Sequence, residues 1–256
     1  MKVVHIVTMG TSIIRNLARD ELLNPELRAK LENWAKSKPG SPEDVEAGEA
    51  ASYGRTEFRI AYERLLIDPR RYSAELNGMW DYLRRGKVDV VHLISTDSGA
   101  CEFCVKLIQR YLTEHKGVEV EVHRVTNLGR DFEAGLLNLV DCVIKIVRSH
   151  KAKGDSVFIN ATGGFKPETA VLYLITSLLG ADAIYYIHET MRKRVELPTL
   201  PILLQKSMIE TIMYFDNRLT SEVPRELLND LERRGLVEVV GTKVKVRSWI
   251  KALIEV

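Results

Sequence analysis

The sequence predicts an α/β protein with a Rossmann-like, mostly parallel sheet and helices on both faces. Short apolar runs rich in β-branched residues alternate along the chain with amphipathic stretches of helical period, as parallel sheets require. Most runs are continuously apolar, as buried parallel strands are. The chain has 256 residues, of which 45% are hydrophobic and 28% charged, so it is large enough to bury such a core.

The elements follow in a regular order, joined by right-handed crossovers. We expect strands at 3–9, 88–96, 118–125, 156–162 and 183–189, and helices at 56–67, 73–85, 100–115, 131–150 and 167–179. The run VEVEVHRV alternates apolar and polar residues, which places this strand near an edge of the sheet. The apolar stretch 169–187 contains Gly180 and Asp182, so we interpret it as a helix, a turn and a strand rather than a membrane span.

Residues 24–54 interrupt this alternation. Their first part, 24–40, has the pattern of a polar helix, and 41–54 that of a loop. Two interpretations remain open: a surface excursion, or a lid over the site that the first strand builds.

The pattern changes again after Pro198 and Pro201. Helix, helix and a hairpin around a Gly-Thr turn predict a small winged helix-turn-helix-like domain over 201–256, after a first domain over 1–200. Residues 206–256 hold nine basic and eight acidic side chains. Binding to DNA phosphates favours a clear basic excess. DNA is therefore a possible but not a favoured partner, and a dimerisation or ligand-covering role is preferred.

The overall composition restricts the class of protein. Lys and Arg number 37 against 35 Asp and Glu, which excludes a broadly basic nucleic-acid coat and an acidic tail. Three cysteines, Cys101, Cys104 and Cys142, are too few for a disulfide framework and suit a reducing cytoplasm. The pair Cys101 and Cys104 predicts packed free thiols rather than a zinc or redox site. The opening residues lack the pattern of a secretory signal, so we expect a cytoplasmic protein without membrane contact.

Three strand ends carry small, polar, hydrogen-bonding residues. In an open parallel sheet, ligands bind beyond the carboxyl ends of the strands. Each of these loops precedes a predicted helix and so offers N–H groups to an anion. They can also be ordinary turns, because the same residue types cap helices everywhere. The candidate ligand-binding residues are Gly10, Thr11, Ser12, Thr96, Asp97, Ser98, Asn160, Thr162, Gly163, Gly164, Phe165 and Lys166.

Neither standard nucleotide-binding fingerprint occurs. The first strand is not followed by G-x-G-x-x-G, and G-x-x-x-x-G-K-[ST] is found nowhere in the sequence. The sequence therefore disfavours a dinucleotide oxidoreductase and a P-loop NTPase. We expect no cofactor and no bound metal.

These motifs resemble those of the CRISPR-associated Rossmann-fold (CARF) proteins, and among them most of all the archaeal ring nucleases. The resemblance rests on Gly10-Thr11-Ser12 after the first strand, on 160–166 after a later strand, and more weakly on the tail. It implies binding of cyclic oligoadenylate across a homodimer. It also implies cleavage of cyclic tetra-adenylate without metal, giving linear di-adenylate with a 2′,3′-cyclic phosphate and ending the antiviral signal. Ser12 and Lys166 match the family's catalytic positions.

The residue types suit this chemistry. The substrate's ribose 2′-OH attacks the adjacent phosphorus, so the protein has to orient the ribose and stabilise charge on the phosphate oxygens. These loops contain no histidine and therefore no strong general base, so we expect slow turnover. Asp97, Ser98, Phe165 and Tyr53 are candidate walls for the adenines. Two alternatives stay open: a messenger-gated transcription regulator, and a sponge that binds the ring without cutting it.

Overall fold

The computed structural model describes residues 1–164, 166–188, 193–203 and 205–254. A six-stranded sheet in the order β3-β2-β1-β4-β5-β6 forms its centre, and a separate β7-β8 hairpin lies in the C-terminal segment. The pairs among β1 to β5 are parallel, and β6 pairs antiparallel with β5. The strands are β1 (Val3–Thr8), β2 (Val90–Ser95), β3 (Glu119–Arg124), β4 (Ser156–Asn160), β5 (Ala183–Ile187), β6 (Arg194–Leu197), β7 (Val237–Val240) and β8 (Lys243–Val246).

Helices cover both faces of the sheet. One apolar core packs α1, α2, α4, α6 and α7 against one face, and a second packs α8 and α9 against the other. The predicted α/β class with a mostly parallel sheet is confirmed. The helices are α1 (Ser12–Ala18), α2 (Pro25–Lys36), α3 (Pro42–Glu49), α4 (Thr56–Ile67), α5 (Pro69–Tyr72), α6 (Ala74–Arg84), α7 (Gly99–Lys116), α8 (Phe132–Lys151), α9 (Lys166–Leu178), α10 (Lys206–Tyr214), α11 (Arg225–Arg233) and α12 (Ser248–Ile254).

The positions of β1, β2 and β3 in the sheet follow from their sequence patterns. β2 is buried along its whole length and β1 is nearly so, and both lie inside the sheet. The alternating strand β3 lies at one edge, as predicted. β6 forms the other edge of the sheet. The sequence analysis did not predict this strand, because four residues are too few to give a periodic signal.

The apolar stretch 169–187 is a helix, a turn and a strand, as predicted. It comprises most of α9, a turn in which Gly180 has φ +70°, and β5. Among the described residues, no helix combines the length and the apolar character that crossing a bilayer requires.

The insertion at 24–54 is part of the main core, so its interpretation as a surface excursion is wrong. Leu31 and Trp34 of α2 are 1% exposed, and Trp34 meets Phe103 of α7 edge to face at 5.4 Å. The segment predicted to be a loop contains α3, capped by Ser41 and begun by Pro42. That Ser-Pro-Glu-Asp start is a helix signal in the sequence itself.

The C-terminal segment has its own small core. Side chains of α10, α11, β7, β8 and α12 pack together, and Gly235 ends α11 with φ +65°. Helix, helix and hairpin occur in the predicted order; the winged-helix assignment and the domain boundary at 200 remain predictions. Trp249 of α12 packs on Val140 and Ile144 of α8, which joins this segment to the sheet domain.

Candidate functional site

The three predicted loops lie side by side at the carboxyl end of the sheet. β1 is flanked by β2 and β4, so the first loop (9–12), the second loop (95–100) and the third loop (160–168) are neighbours. The crossover from β1 leads to one side of the sheet and that into β4 to the other. The β1–β4 boundary is therefore the switch point at which such sheets bind ligands.

The first and third loops touch at Gly163. A Cβ on Gly163 would collide with the carbonyl oxygen of Thr8 and would lie 2.7 Å from the backbone nitrogen of Gly10. The hydroxyl of Thr8 donates to the Gly163 carbonyl at 2.7 Å. A glycine is thus required at 163, because only a residue without a side chain lets the two loops meet.

Asn160 and Thr162 hold the third loop in place. The Asn160 side chain is fully buried, and its amide donates to the backbone carbonyl of Glu75 at 2.9 Å. Its carbonyl oxygen accepts from the Thr162 hydroxyl at 2.5 Å. Thr162 in turn accepts from the backbone N–H of Ile187 at 3.2 Å. Both predicted ligand-binding side chains are therefore engaged in fixing the loop to α6 and β5.

Glu75, which the sequence analysis missed, is the residue of α6 that accepts hydrogen bonds from the first loop. This carboxylate, at the start of α6, is 1% exposed. It accepts from the Ser12 hydroxyl at 2.6 Å, from the Gly10 N–H at 3.1 Å and from the Ser73 hydroxyl at 2.9 Å. The Ser12 hydroxyl also accepts from the Ala74 N–H at 3.1 Å. A carboxylate therefore does reach the loops in which the sequence offered no base.

Ser12 has one free hydrogen-bonding position left in this arrangement. A serine hydroxyl has one proton and two lone pairs. The proton goes to Glu75, and one lone pair accepts from Ala74. The remaining lone pair can accept from a hydroxyl of a bound molecule. Thr11, the neighbouring candidate, is half-buried at the start of α1 and makes no side-chain capping bond.

The end of the third loop is open to solvent. Gly164 is exposed with φ +96°, a backbone conformation that favours glycine, and Lys166 is exposed at the start of α9. A Cβ on Gly164 would collide with the Oε2 of Glu168, a second buried carboxylate. Phe165, a predicted ligand-binding residue and adenine wall, lies outside the described residues.

The second loop is covered by the insertion. The Asp44 carboxylate of α3 is 3% exposed and accepts from the backbone N–H of Ala100 at 3.0 Å. Ser98 accepts from the backbone N–H of Cys101 at 3.1 Å as the cap of α7. A Cβ on Gly99 would collide with the Asp44 carbonyl oxygen, so the two segments are in close contact. Thus α3 packs against the second loop. The lid interpretation had placed the insertion over the first loop.

Carboxylates occupy N–H groups that the sequence analysis had assigned to an external anion. Glu75 accepts from Gly10 in the first loop, and Asp44 accepts from Ala100 in the second. The expectation that every loop offers its N–H groups freely is therefore wrong for these two donors. A buried carboxylate near a helix N-terminus is stabilised by the same dipole that would attract a phosphate.

Asp97 and Thr96 complete the second loop. Asp97 pairs with Arg124 at 3.0 Å and with Arg130 at 3.5 Å, and Arg130 also donates to the Asp97 carbonyl at 3.0 Å. Thr96 lies 3.2 Å from the Ser98 hydroxyl. Neither arginine was a sequence candidate, because both lie outside the strand-end motifs. They add two partly exposed cations beside this loop.

Tyr53 lies far from the strand ends, which argues against its proposed contact with an adenine bound there. Its ring stacks under the guanidinium of Arg110 at 3.8 Å. Arg110 is eleven residues along α7 from the helix start at Gly99, which corresponds to about 16 Å of helix.

The cysteines are packed thiols, as predicted. Cys101, Cys104 and Cys142 are free, and the first two are fully buried. Burial raises the pKa of Cys101 to about 11 and that of Cys104 well above its usual value. A thiol held in its neutral form is a poor nucleophile and a poor metal ligand.

The charges of the C-terminal segment are largely paired among themselves. Arg233 at the end of α11 and Arg234, the residue that caps this end, both contact Asp230, at 2.6 and 2.8 Å. Arg247 pairs with Glu238 at 2.5 Å. Residues 225–234 hold three arginines and three carboxylates, so this helix presents little net positive charge to a DNA backbone.

One comparison with known families gives a match. The model of the family described as CRISPR-associated protein (Cas_APE2256) matches residues 70–200 of this chain, slightly more than half of its 256 residues. The matched segment includes Glu75, the second loop and the third loop with Lys166. The first loop, with Gly10, Thr11 and Ser12, precedes it.

Proposed function

This chain belongs to the CRISPR-associated protein family Cas_APE2256, and from that premise we propose that it is a ring nuclease of type III CRISPR defence. In this proposal it binds cyclic tetra-adenylate at the β1–β4 switch point of two protomers. It cleaves the ring without metal to linear di-adenylate with a 2′,3′-cyclic phosphate. The meeting of the first and third loops at Gly163 carries the proposal, because it brings the two resemblance motifs together.

Ser12 and Glu75 supply the proton acceptor that the reaction needs. The ribose 2′-OH donates to the free lone pair of the Ser12 hydroxyl, whose own proton already points to Glu75 at 2.6 Å. As the 2′-oxygen bonds to phosphorus, its proton passes to Ser12 and the serine proton passes to the carboxylate. The 5′-oxygen leaves and takes a proton from solvent. In this proposal Glu75 is the general base, a group that the three loop sequences do not contain.

Lys166 and the glycine pair act on the phosphate. The Lys166 ammonium is exposed at the mouth of the third loop, where it can approach the non-bridging oxygens. In this proposal the backbone N–H groups of Gly163 and Gly164 donate to the same phosphate oxygens. Negative charge develops on these oxygens in the transition state, and a cation with N–H donors at this position would stabilise that charge more than it stabilises the intact ring.

A homodimer fits the symmetry of the ligand. A ring of four adenylates admits a two-fold axis, and a two-fold axis relates identical surfaces of two protomers. In the proposed dimer, each strand-end face contributes one Ser12 and one Lys166. Sedimentation velocity of the free protein is expected to give a dimer, and a strict monomer with or without the ring contradicts this part of the proposal.

The decisive experiment is cleavage of labelled cyclic tetra-adenylate in excess chelator, under single-turnover conditions. We expect cleavage by the native chain and by Lys206→Ala, a lysine exposed on the C-terminal segment. Ser12→Ala and Lys166→Ala should each slow the reaction by about 100-fold or more. Cleavage at the native rate by both variants would overturn the assignment of these residues.

The same experiment separates the alternatives. Tight retention of intact ring by the native protein indicates a sponge or a messenger-gated regulator. A salt-dependent shift of promoter DNA then distinguishes these two.

A further inference from the structure

Three histidines and two carboxylates form a connected cluster on the α8 side of the sheet, away from the strand-end loops. His92 lies on β2, His123 and Glu121 on β3, and His150 near the end of α8. Asp155 precedes β4. The cluster lines an open pocket near the amino-terminal ends of the strands. Neither the proposed function nor the family match assigns it a role.

Three of these side chains place one ligand atom each around a single point. The Nδ1 of His92 lies 2.9 Å from the Nε2 of His123 and 3.5 Å from the Oε2 of Glu121, and the last two atoms are 3.7 Å apart. Ligands at 2.0–2.1 Å from a tetrahedral zinc ion are separated by about 3.3 Å. The three distances bracket this value, so one ion can contact all three atoms.

The strand pairing explains why these atoms meet. His92 and Glu121 are directly paired in the β2–β3 register, and Ile94 pairs with His123. Residues 121 and 123 share one face of β3, since side chains alternate along a strand. The arrangement is thus fixed by the backbone of two adjacent strands.

A hydrogen-bond chain behind His92 sets its tautomer for metal binding. Asp155 accepts from the Nδ1 of His150 at 2.9 Å, which leaves the His150 Nε2 as an acceptor. That atom lies 2.9 Å from the Nε2 of His92, which must then carry the proton. The Nδ1 of His92 consequently presents a lone pair to the triangle of ligand atoms. A ligating histidine usually donates its other N–H to an outer-shell acceptor, and here that acceptor is His150, which Asp155 orients in turn.

From this geometry we infer a zinc site formed by His92, His123 and Glu121, with one coordination position open to the pocket. Two imidazoles and a carboxylate form a donor set that zinc favours. Lys145 and Lys153 line the same pocket, so the donor atoms, rather than net charge, select the ion. The inferred ion fastens the edge strand β3 to the inner strand β2. The site is separate from the ring-cleaving loops, and its occupancy is independent of chelator-resistant cleavage.

The test is zinc titration of the chelator-treated full chain by calorimetry in a phosphate-free buffer. We expect one zinc ion per chain. His123→Ala and Glu121→Gln each remove a ligand, so they should weaken binding by more than the about 10- to 100-fold typical of outer-shell changes. His115→Ala is the matched control, because His115 is exposed on α7 outside the cluster. Absence of stoichiometric binding, or equal affinity in the His123→Ala/Glu121→Gln double variant, overturns the site.

A second measurement uses the native chain alone and does not depend on the folding of any variant. Histidine ¹⁵N spectra with and without zinc should show metal-bound shifts at the Nδ1 of His92 and the Nε2 of His123. The Nδ1 of His150 should stay protonated. Unchanged His92 and His123 signals at saturating zinc contradict the inference.

Discussion

At the scale of single residues, Glu75 joins the first loop to α6. Its carboxylate accepts from Ser12, Gly10 and Ser73, and its backbone carbonyl accepts from Asn160 of the third loop. Glu75 therefore forms hydrogen bonds to both the first and the third loop. Sequence reasoning missed it because hydrogen bonds between residues 63 positions apart leave no local pattern.

Glu75→Gln separates the chemical role of this carboxylate from its structural role. The glutamine keeps the shape and one acceptor oxygen, but it cannot take up the serine proton. We expect cyclic tetra-adenylate cleavage to fall by about 100-fold with little loss of ring binding. Single-turnover rates and a binding titration measure the two effects. Glu63→Gln, an exposed change on α4, is the control, and unchanged cleavage by Glu75→Gln would exclude the proton relay.

A second residue, His5 in the middle of β1, makes stability depend on pH. It is fully buried, stacks on Phe158 and lies 2.8 Å from the Tyr185 hydroxyl. Burial lowers the pKa of His5 from 6.5 to about 4. Below pH 6.5 the unfolded chain therefore binds a proton that the folded chain does not.

The contribution of His5 to stability is present above pH 6.5 and is lost as the pH falls towards 4. The loss amounts to about 1.4 kcal/mol per pH unit within that window. In His5→Gln, urea unfolding should show a correspondingly shallower decline between these pH values than in the native chain. His115→Gln, on the surface, should keep the native slope; identical slopes for all three proteins would refute the assignment.

At the scale of elements, the contact between the first and third loops depends on a missing side chain. Gly163→Ala places a methyl group against the backbone of β1, which has no freedom to move aside. We expect a loss of about 1–3 kcal/mol in the free energy of unfolding, together with loss of ring cleavage. Chemical denaturation measures the first effect. Gly54→Ala has only Ser52 at 4.0 Å and should be nearly neutral, and an equally mild Gly163→Ala would refute the tight contact.

The insertion at 24–54 is also an element whose role can be measured. Trp34 is 1% exposed and bonds through its indole N–H to Glu46 at 2.9 Å. Trp34→Ala should cost about 3–5 kcal/mol of unfolding free energy, as for other large core truncations. Leu22→Ala, at a side chain 71% exposed, should cost little. A Trp34→Ala protein as stable as the native one would restore the surface interpretation.

Element boundaries were predictable where the pattern is periodic. The five strands and five helices of the alternating pattern begin and end within two residues of their observed positions, whereas the helix predicted over 24–40 ends four residues earlier, at Lys36. The helix α3 and the strand β6 were missed, because short polar or mixed segments are decided by tertiary packing. The three loops were located correctly since they follow strands directly. Their hydrogen-bond partners in α3 and α6 could not be inferred without the fold.

At the scale of the whole molecule, the C-terminal segment is docked on the sheet domain by Trp249 and by a hydrogen bond from Ser248 to Asp141 at 2.5 Å. Arg233, Arg234 and Arg247 of this segment pair with carboxylates of the same segment. A segment packed and neutralised in this way suits an internal contact better than a DNA groove.

We therefore expect the intact protein to give no specific shift of double-stranded DNA at physiological salt. Electrophoresis with and without cyclic tetra-adenylate measures this. Retarded DNA whose affinity falls steeply with salt would instead favour the regulator alternative.

The carboxylates of Glu75 and Asp44 have a consequence for discrimination. Cytoplasm holds a large excess of ATP, inorganic phosphate and other small anions, any of which an unoccupied helix start would attract. Here two such positions already hold a tethered negative group. A single phosphate would have to displace one of these carboxylates and would gain little binding energy by doing so. A macrocycle that contacts several loops at once can offset this cost through its additional contacts. If the chain binds a cyclic oligoadenylate as proposed, these two carboxylates would favour that ligand over small anions.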